Sequence, residues 1–203
     1  MRKLIVNTFL TLDGVMQAPG APEEDTSGGF TEGGWSVTQW DDVMGQAMAE
    51  FMSRPADLLL GRRTYEIFAA HWPHSTEPAA EPLNSATKYV ASTTLDKVEW
   101  ENSHLLEGDV PTAIRELKEE DAPELQVHGS SGLIQTLLRE DLVDEFGIWI
   151  YPVVIGSGKR LFGEGTVPAG LELNDTKLST TGVIITTYAR AGEIPKGSFA
   201  LDQ

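Results

Sequence analysis

Three short stretches hold residue types suited to gripping phosphates. In LLLGRRT, residues 58–64, an apolar run ends at Gly61 and two cations follow, Arg62 and Arg63. Glycine lets a chain turn tightly, the first amides of a helix have no partner of their own, and a guanidinium offers a fork for phosphate oxygens. In VASTTL, residues 90–95, the hydroxyls of Ser92, Thr93 and Thr94 can donate to phosphate or ribose oxygens. In LQVHGSSGLIQTLL, residues 125–138, Gly129 and Gly132 bracket two serines between a strand-like and a helix-like run. The amides of such a turn form a cradle for a diphosphate.

Each stretch alone has a plainer reading. Gly-Arg-Arg also makes a turn with solvated charges, and Ser-Thr-Thr and GSSG also serve as turns and caps. GSSG is not the G-x-G-x-x-G dinucleotide fingerprint. The weight lies in finding three such junctions in one chain.

The elements that must position them follow from periodicity. Lys3 to Leu10 reads as a strand ending near the turn Asp13-Gly14, and Gln17 to Gly34 as a long loop dense in Gly, Pro and acidic residues. Ser36 to Met52 reads as a helix, with Val43, Ala47 and Phe51 about four apart. Asp57 to Leu60 is a short strand, and Thr64 to Ala70 a helix stopped at Pro73. Ala79 to Ala86 reads as irregular with one helical turn, and Lys88 to Ala91 as a strand. A helix capped by Asp109 carries Val110, Ala113, Ile114 and Leu117 on one face. After the strand Leu125 to His128, the next helix buries Leu133, Ile134, Leu137 and Leu138. Phe146, Ile148 and Ile150 alternate along a strand that Val153 to Ile155 extends, and Leu171 to Leu178 with Gly182 to Ala189 form a final β pair. Strands alternating with helices, then a β pair, imply an α/β fold: a mostly parallel sheet with an antiparallel C-terminal edge, flanked by helices. Ligands of such sheets bind beyond the carboxyl ends of the strands, where all three junctions fall.

Bulk properties narrow the function. A chain of 203 residues fits one domain, 1–203. Net charge is −16, from 15 Lys and Arg against 31 Asp and Glu, which argues against a nucleic-acid or lipid-headgroup surface. No apolar run approaches the roughly 20 residues needed to cross a bilayer, so no membrane partner is expected. The absence of cysteine removes thiolate zinc sites and thiol nucleophiles and fits a reducing, cytoplasmic setting. Gly156-Ser157-Gly158-Lys159 is not a P-loop, because Val153 and Arg160 stand where it needs glycine and a hydroxyl. His71 and His74 lack an aligned third metal ligand, and a hydrolase's G-x-S-x-G is missing. His128 reads as a packed strand residue. Phe30, Trp35, Trp40 and Trp72 read as core, or as caps on a planar ligand.

TLDGVM, LLLGRRTYE, VASTTL, VHGSSGLIQTLL and DEFGIWIYPVVIGSGKRLF together resemble the dihydrofolate reductase-like superfamily, over roughly residues 3 to 190. The branch they most resemble joins the reductase C-terminal domain of riboflavin biosynthesis proteins to small stand-alone relatives. The resemblance implies the three-layer dihydrofolate reductase-like fold and NADPH as cofactor. It implies that Gly61, Arg62 and Thr64 hold the diphosphate and adenosine 2′-phosphate side, with Ser92 and Thr93 near the adenosine phosphate. It places Gly129, Ser130, Gly132, Leu133 and Ile134 around the diphosphate and nicotinamide. Asp13 matches the branch's aspartate near the substrate, as a polar contact or proton relay, while an Asp-Gly turn residue is the alternative. A small heterocyclic substrate is implied, 5-amino-6-(5-phosphoribosylamino)uracil-like or dihydropterin-like, and a homodimer through the C-terminal β region. A dinucleotide-binding protein without turnover is the other reading. A bifunctional chain with a deaminase segment ahead of the domain is not expected, and the acid that holds pterin in dihydrofolate reductase has no secure counterpart among Asp41, Asp42 and Glu50.

Overall fold

Side-chain alternation along the strands sorts the core into two faces. In β1 (Leu4–Thr11), Leu4, Val6 and Leu10 enter one hydrophobic cluster while Phe9 packs into another. β2 (Ala56–Gly61) does the same, with Leu59 on the first side and Leu58 and Leu60 on the second. The computed structural model describes residues 1–199, so the last four residues of the expected domain lie outside the described residues.

The remaining strands are β3 (Lys88–Ala91), β4 (Ser103–Leu105), β5 (Glu124–His128), β6 (Glu145–Tyr151), β7 (Leu171–Leu178) and β8 (Ile184–Arg190). They form one sheet in the order β4-β3-β2-β5-β1-β6-β8-β7. β1 to β6 pair in parallel, β8 runs antiparallel to β6, and β7 antiparallel to β8. This is the three-layer, dihydrofolate reductase-like arrangement expected, with its antiparallel edge at the C-terminal end.

Helices α4 (Val110–Glu119) and α5 (Ser131–Arg139) cover one face through Ile114, Leu117, Ile134 and Leu137. The opposite face has two clusters. Met44 and Ala47 of α1 (Asp42–Met52) pack on Trp149, Tyr151 and Ile185, while Tyr65 of α2 (Arg62–His71) and Leu83 of α3 (Ala80–Ser85) pack on Leu58, Leu60 and Val90. Among the described residues, no helix is long and apolar enough to cross a membrane.

Four elements differ from expectation, each for a local reason. The helix expected from Ser36 is a 3-10 turn, Val37–Gln39, and then a break, because the Asp41 side chain caps α1 by accepting from Met44 N at 2.9 Å. β6 ends at Tyr151 rather than continuing past Pro152, which has no amide to give a ladder. β4, three residues long, was not anticipated; it pairs with β3. The stretch expected to be irregular contains α3, held from outside. The fully buried Lys88 donates to the carbonyls of Leu83, Asn84 and Ala86 at 3.0, 2.7 and 2.7 Å, with its ammonium 4.3 Å from the Trp100 ring centroid.

Candidate active site

Two of the three glycine and hydroxyl junctions are tied directly to each other. Ser130 Oγ donates to Thr64 Oγ1 at 2.8 Å and accepts from Gly61 N at 2.9 Å, so the β5–α5 turn is fastened to the β2–α2 turn. Glycine at 61 eases that contact: a Cβ there would lie 3.3 Å from both Cβ and Oγ of Ser130, which would have to shift by a few tenths of an ångström. Ser130 itself sits at φ 64°, ψ 53°, a left-handed conformation that a non-glycine residue holds only when its surroundings fix it. The first intrahelical bond of α5 is Ile134 N to Ser130 O at 3.0 Å, which leaves the amides of Ser131, Gly132 and Leu133 at the helix's positive end. After β3, Ser92 Oγ accepts from the amides of Thr94 and Leu95 at 3.1 and 3.0 Å, fixing the turn with Thr93 at its apex.

All three junctions open on one cavity of about 1140 Å³. Of the residues expected from sequence, Gly61, Arg62, Thr64, Ser92, Thr93, Gly129, Ser130, Gly132 and Leu133 line it. Arg62 is half exposed and makes one long contact, 3.4 Å, with Glu66. Ile134 does not line the cavity; it is fully buried in the core under α5.

Asp13 lies outside the cavity lining too. Its carboxylate accepts from Thr11 Oγ1 at 2.6 Å and from the amides of Gly156 and Ile155 at 2.7 and 3.2 Å, with Arg160 3.4 Å away. The Thr11 hydroxyl first, then those amides, outweigh partial desolvation and hold its pKa down at about 2. In this geometry Asp13 is the anchor that ties the Asp-Gly turn to the Gly156–Lys159 turn.

Phe9 and Trp149 escaped the sequence reading, whereas Trp40 reads from sequence as core or as a cap on a planar ligand. Phe9 of β1 stands opposite Trp149 of β6 in the ladder, ring centroids 5.2 Å apart, and Trp40 stacks on Trp149 at 5.9 Å with 15° between planes. Trp72, read as core or cap, lines the cavity as Trp40 does. Trp35 instead packs edge-on against Tyr151 and donates to Gln17 O at 2.8 Å, while Phe30 sits in a small core with Val15 and Ala18. From α1 the cavity receives Met48, Phe51 and Met52. The helix's acids point elsewhere: Asp41 holds Thr180, Glu50 pairs with Lys177, and Asp42 is not in the lining. Nothing in a single sequence signals that Phe9, Trp40 and Trp149 meet, since each comes from a different element.

Charge is added by the loop. Asp25 bridges Arg63 at 2.6 Å and Lys159 at 2.5 Å, and all three residues line the cavity. Burial works to raise the Asp25 pKa, but hydrogen bonds from Lys159 and Ser27 outweigh it and leave the carboxyl below its usual range. His128 lines the cavity between the rings of Phe51 and Phe68, at 5.9 and 6.3 Å, and desolvation lowers its pKa to about 4. Among the described residues, no group of three or more His, Asp or Glu is placed to hold a metal ion.

The family model described as the RibD C-terminal domain matches residues 2–186. The chain belongs to this family. Relatives of the chain include the uncharacterized proteins YyaP and YwjB of Bacillus subtilis strain 168. YyaP is 26% identical over 92% of this chain and 94% of its own length, and YwjB 27% identical over 87% and 91%. Among solved structures, a putative riboflavin biosynthesis protein from Shewanella sp. PV-4 superposes with a TM-score of 0.72 at 23% identity, covering 93% of this chain and 99% of that one. A pyrimidine reductase-like protein from Corynebacterium diphtheriae gives 0.64 at 11%, covering 95% and 93%. Dihydrofolate reductase from Enterococcus faecalis, complexed with NADP(H), gives 0.58 at 15%, covering 93% and 96%. Those likenesses establish the fold, and the RibD C-terminal family is one of riboflavin-type reductase domains.

Proposed function

We propose that the protein is an NADPH-dependent oxidoreductase that reduces a small heterocyclic substrate. The observation that carries this reading is a single cavity with two unlike walls. One wall is turns and helix N-termini at the ends of β2, β3 and β5; the other is a sheet of rings at β1, β6 and Trp40. The residues present fit the cofactor. A diphosphate suits the α2 and α5 amide ends, a Cβ added at Gly132 would meet nothing within 4 Å, and Arg62 is the least committed cation for a 2′-phosphate. When bound, NADPH supplies a hydride for an electrophilic carbon of the substrate. The chain's part is to orient both partners and exclude water, with Phe9, Trp40 and Trp149 offering flat faces to a planar ring.

The lining of α1 favours the aminouracil-type substrate over the pterin type. An aminopterin edge calls for a carboxylate, and α1 presents Met48, Phe51 and Met52 instead. A second reading, dinucleotide binding without turnover, draws on the placement of Asp13, whose carboxylate is fully engaged by the protein.

Fluorescence titration with NADPH and NADH, followed by loss of reduced-nicotinamide absorbance with ribosylaminopyrimidine and pterin substrates, separates the readings. Arg62→Ala is expected to weaken NADPH about tenfold or more while changing NADH little, because only NADPH carries the 2′-phosphate. Equal losses for both count against the assignment. Pairing of two copies is supported by exposed apolar side chains on the β7–β8 hairpin, where Leu178 stands opposite Ile184, with Leu173, Leu178 and Ile184 at 50%, 68% and 40% exposure. Leu173→Glu is expected to convert a dimer to a monomer by light scattering; a monomeric unsubstituted protein rules the pairing out. A cytoplasmic location remains part of the same proposal, checked by fractionation.

A further inference from the structure

Between the two clusters on the α1 face, β1 and β5 place Asn7 and His128 side by side. The parallel register pairs them, and both line the cavity. A chain of hydrogen bonds fixes the histidine's tautomer. Gln126 Nε2 donates to Glu124 Oε1 at 2.8 Å, which leaves Gln126 Oε1 facing His128 Nε2 at 3.2 Å. An amide oxygen only accepts, so Nε2 carries the hydrogen and Nδ1 presents a bare lone pair. Burial keeps the ring neutral at pH 7. On the neighbouring strand, Asn7 Nδ2 is enclosed without any hydrogen-bond partner. Enclosed donors are rarely left unpaired, because the protein then loses the hydrogen bond that water would have given. Room for the amide is made on the next strand over: a Cβ at Gly147 of β6 would lie 2.2 Å from Asn7 Oδ1.

We propose that Asn7 and His128 together read one amide edge of a bound ring, Asn7 Nδ2 donating to its carbonyl oxygen and His128 Nδ1 accepting its N–H. The inference rests on the reductase reading, and deepens it by naming the hydrogen-bonding edge at the centre of the cavity. A carboxamide and a lactam both present a carbonyl oxygen and an N–H on one edge, so the ligand is the nicotinamide carboxamide of the cofactor or a lactam of the substrate ring. A bare Nδ1 rejects an edge that offers only lone pairs, and an N-methylated lactam has no hydrogen to give.

The test uses His128→Phe, which keeps a ring between Phe51 and Phe68 but removes the acceptor, and Asn7→Ala, with Asn7→Ser as a donor-retaining control. Probes are NADPH, 2′-phospho-ADP-ribose (the same molecule without nicotinamide), and uracil and 1,3-dimethyluracil added to the NADPH-loaded protein. If the edge is the cofactor's, both variants weaken NADPH about tenfold and leave 2′-phospho-ADP-ribose unchanged. If it is the substrate's, NADPH is unchanged, uracil weakens about tenfold, and 1,3-dimethyluracil binds unsubstituted protein and variants equally poorly. Asn7→Ser recovers part of either loss. Independently of any variant, the nitrogen NMR signal of His128 Nδ1 in the unsubstituted protein shifts when the edge-bearing ligand is added. NADPH and uracil both binding the variants within twofold of unsubstituted protein, or an Nδ1 signal indifferent to both ligands, overturns the pair. Failure of 2′-phospho-ADP-ribose to bind the unsubstituted protein instead overturns the reductase reading beneath it.

Discussion

At the ends of β2, β3 and β5 the cavity wall is mostly backbone and hydroxyls, held by bonds such as Ser130 Oγ to Thr64 Oγ1 at 2.8 Å. At β1 and β6 it is mostly rings, with Trp40 on Trp149 and Phe9 beside them. The first wall grips any ligand with phosphates in the right places, because amides at a helix start do not depend on the side chains that bear them. The second wall recognises shape and ring faces, which only particular side chains supply. Substitutions therefore act on the two walls differently: those at the rings damage the fold as well as the site, whereas those at the rim act on affinity.

The largest expected effect is at Trp149. It is 7% exposed and central to the cluster under α1, so Trp149→Ala is expected to cost about 4 kcal/mol of stability. Trp40 stacks on it but is 46% exposed, so Trp40→Ala is expected to cost about 1 kcal/mol or less while still removing one face from a bound ring. Denaturant melts of the two variants check the contrast. Equal losses would show that the rings form one rigid unit rather than a buried base with an accessible plate.

The second effect lies at the seam between the walls. His128 has a folded pKa of about 4 against 6.5 unfolded. The unfolded chain therefore binds the extra proton first as pH falls, so the stabilisation is complete above about pH 6.5 and is lost progressively toward pH 4. The full loss is about 3 kcal/mol at most. The groups facing the ring are Gln126, Phe51, Phe68 and Asn7, none of them charged. Stability against pH for the unsubstituted protein and His128→Phe should diverge across that window; parallel curves would mean the ring is well solvated.

The same contrast explains what the sequence disclosed. Gly61, Gly129 and Gly132 were legible because each junction is continuous in the chain, strand, turn residue and helix start, and Ser92 because its hydroxyl turn directly follows β3. The sheet was legible for a similar reason, since Phe146, Ile148 and Ile150 alternate without reference to any distant residue. For Asp13 the sequence left two readings open, a substrate contact or a turn residue, because a carboxylate in a turn looks alike whether it faces a ligand or, as here, the amides of Ile155 and Gly156 142 and 143 residues away. The single helical turn expected within Ala79 to Ala86 is α3, and its extent was not legible because its C-terminal carbonyls are satisfied by Lys88, from the following strand. Phe9 and Trp149 share the cavity only through the β1–β6 register, which no local pattern encodes.

The smallest effect on folding falls on the loop that joins the two walls. Residues 17–34 form the long loop expected, which carries a small core of Ala18 and Phe30 with Val15, and Gln17 Nε2 ties it inward by donating to Asp25 O and Ser27 O at 2.9 and 3.0 Å. Asp25 then fastens it outward, to Arg63 at the rim and to Lys159 on the ring side. Arg63 is exposed and Lys159 partly so, and pairs whose cation reaches solvent contribute on the order of 1 kcal/mol each. Asp25→Asn should therefore change the melting midpoint little, because the Gln17 bonds and the small core stay in place. It should raise amide exchange across 17–34, and it should free two cations that face the cavity. Inorganic phosphate is then expected to bind the variant more tightly than the unsubstituted protein, with an advantage that shrinks as salt rises, since exposed charges are screened. A loop whose exchange is unchanged in the variant would show that its own core, not the carboxylate bridge, sets its position over the cavity, and the two walls would then be joined by packing rather than by charge.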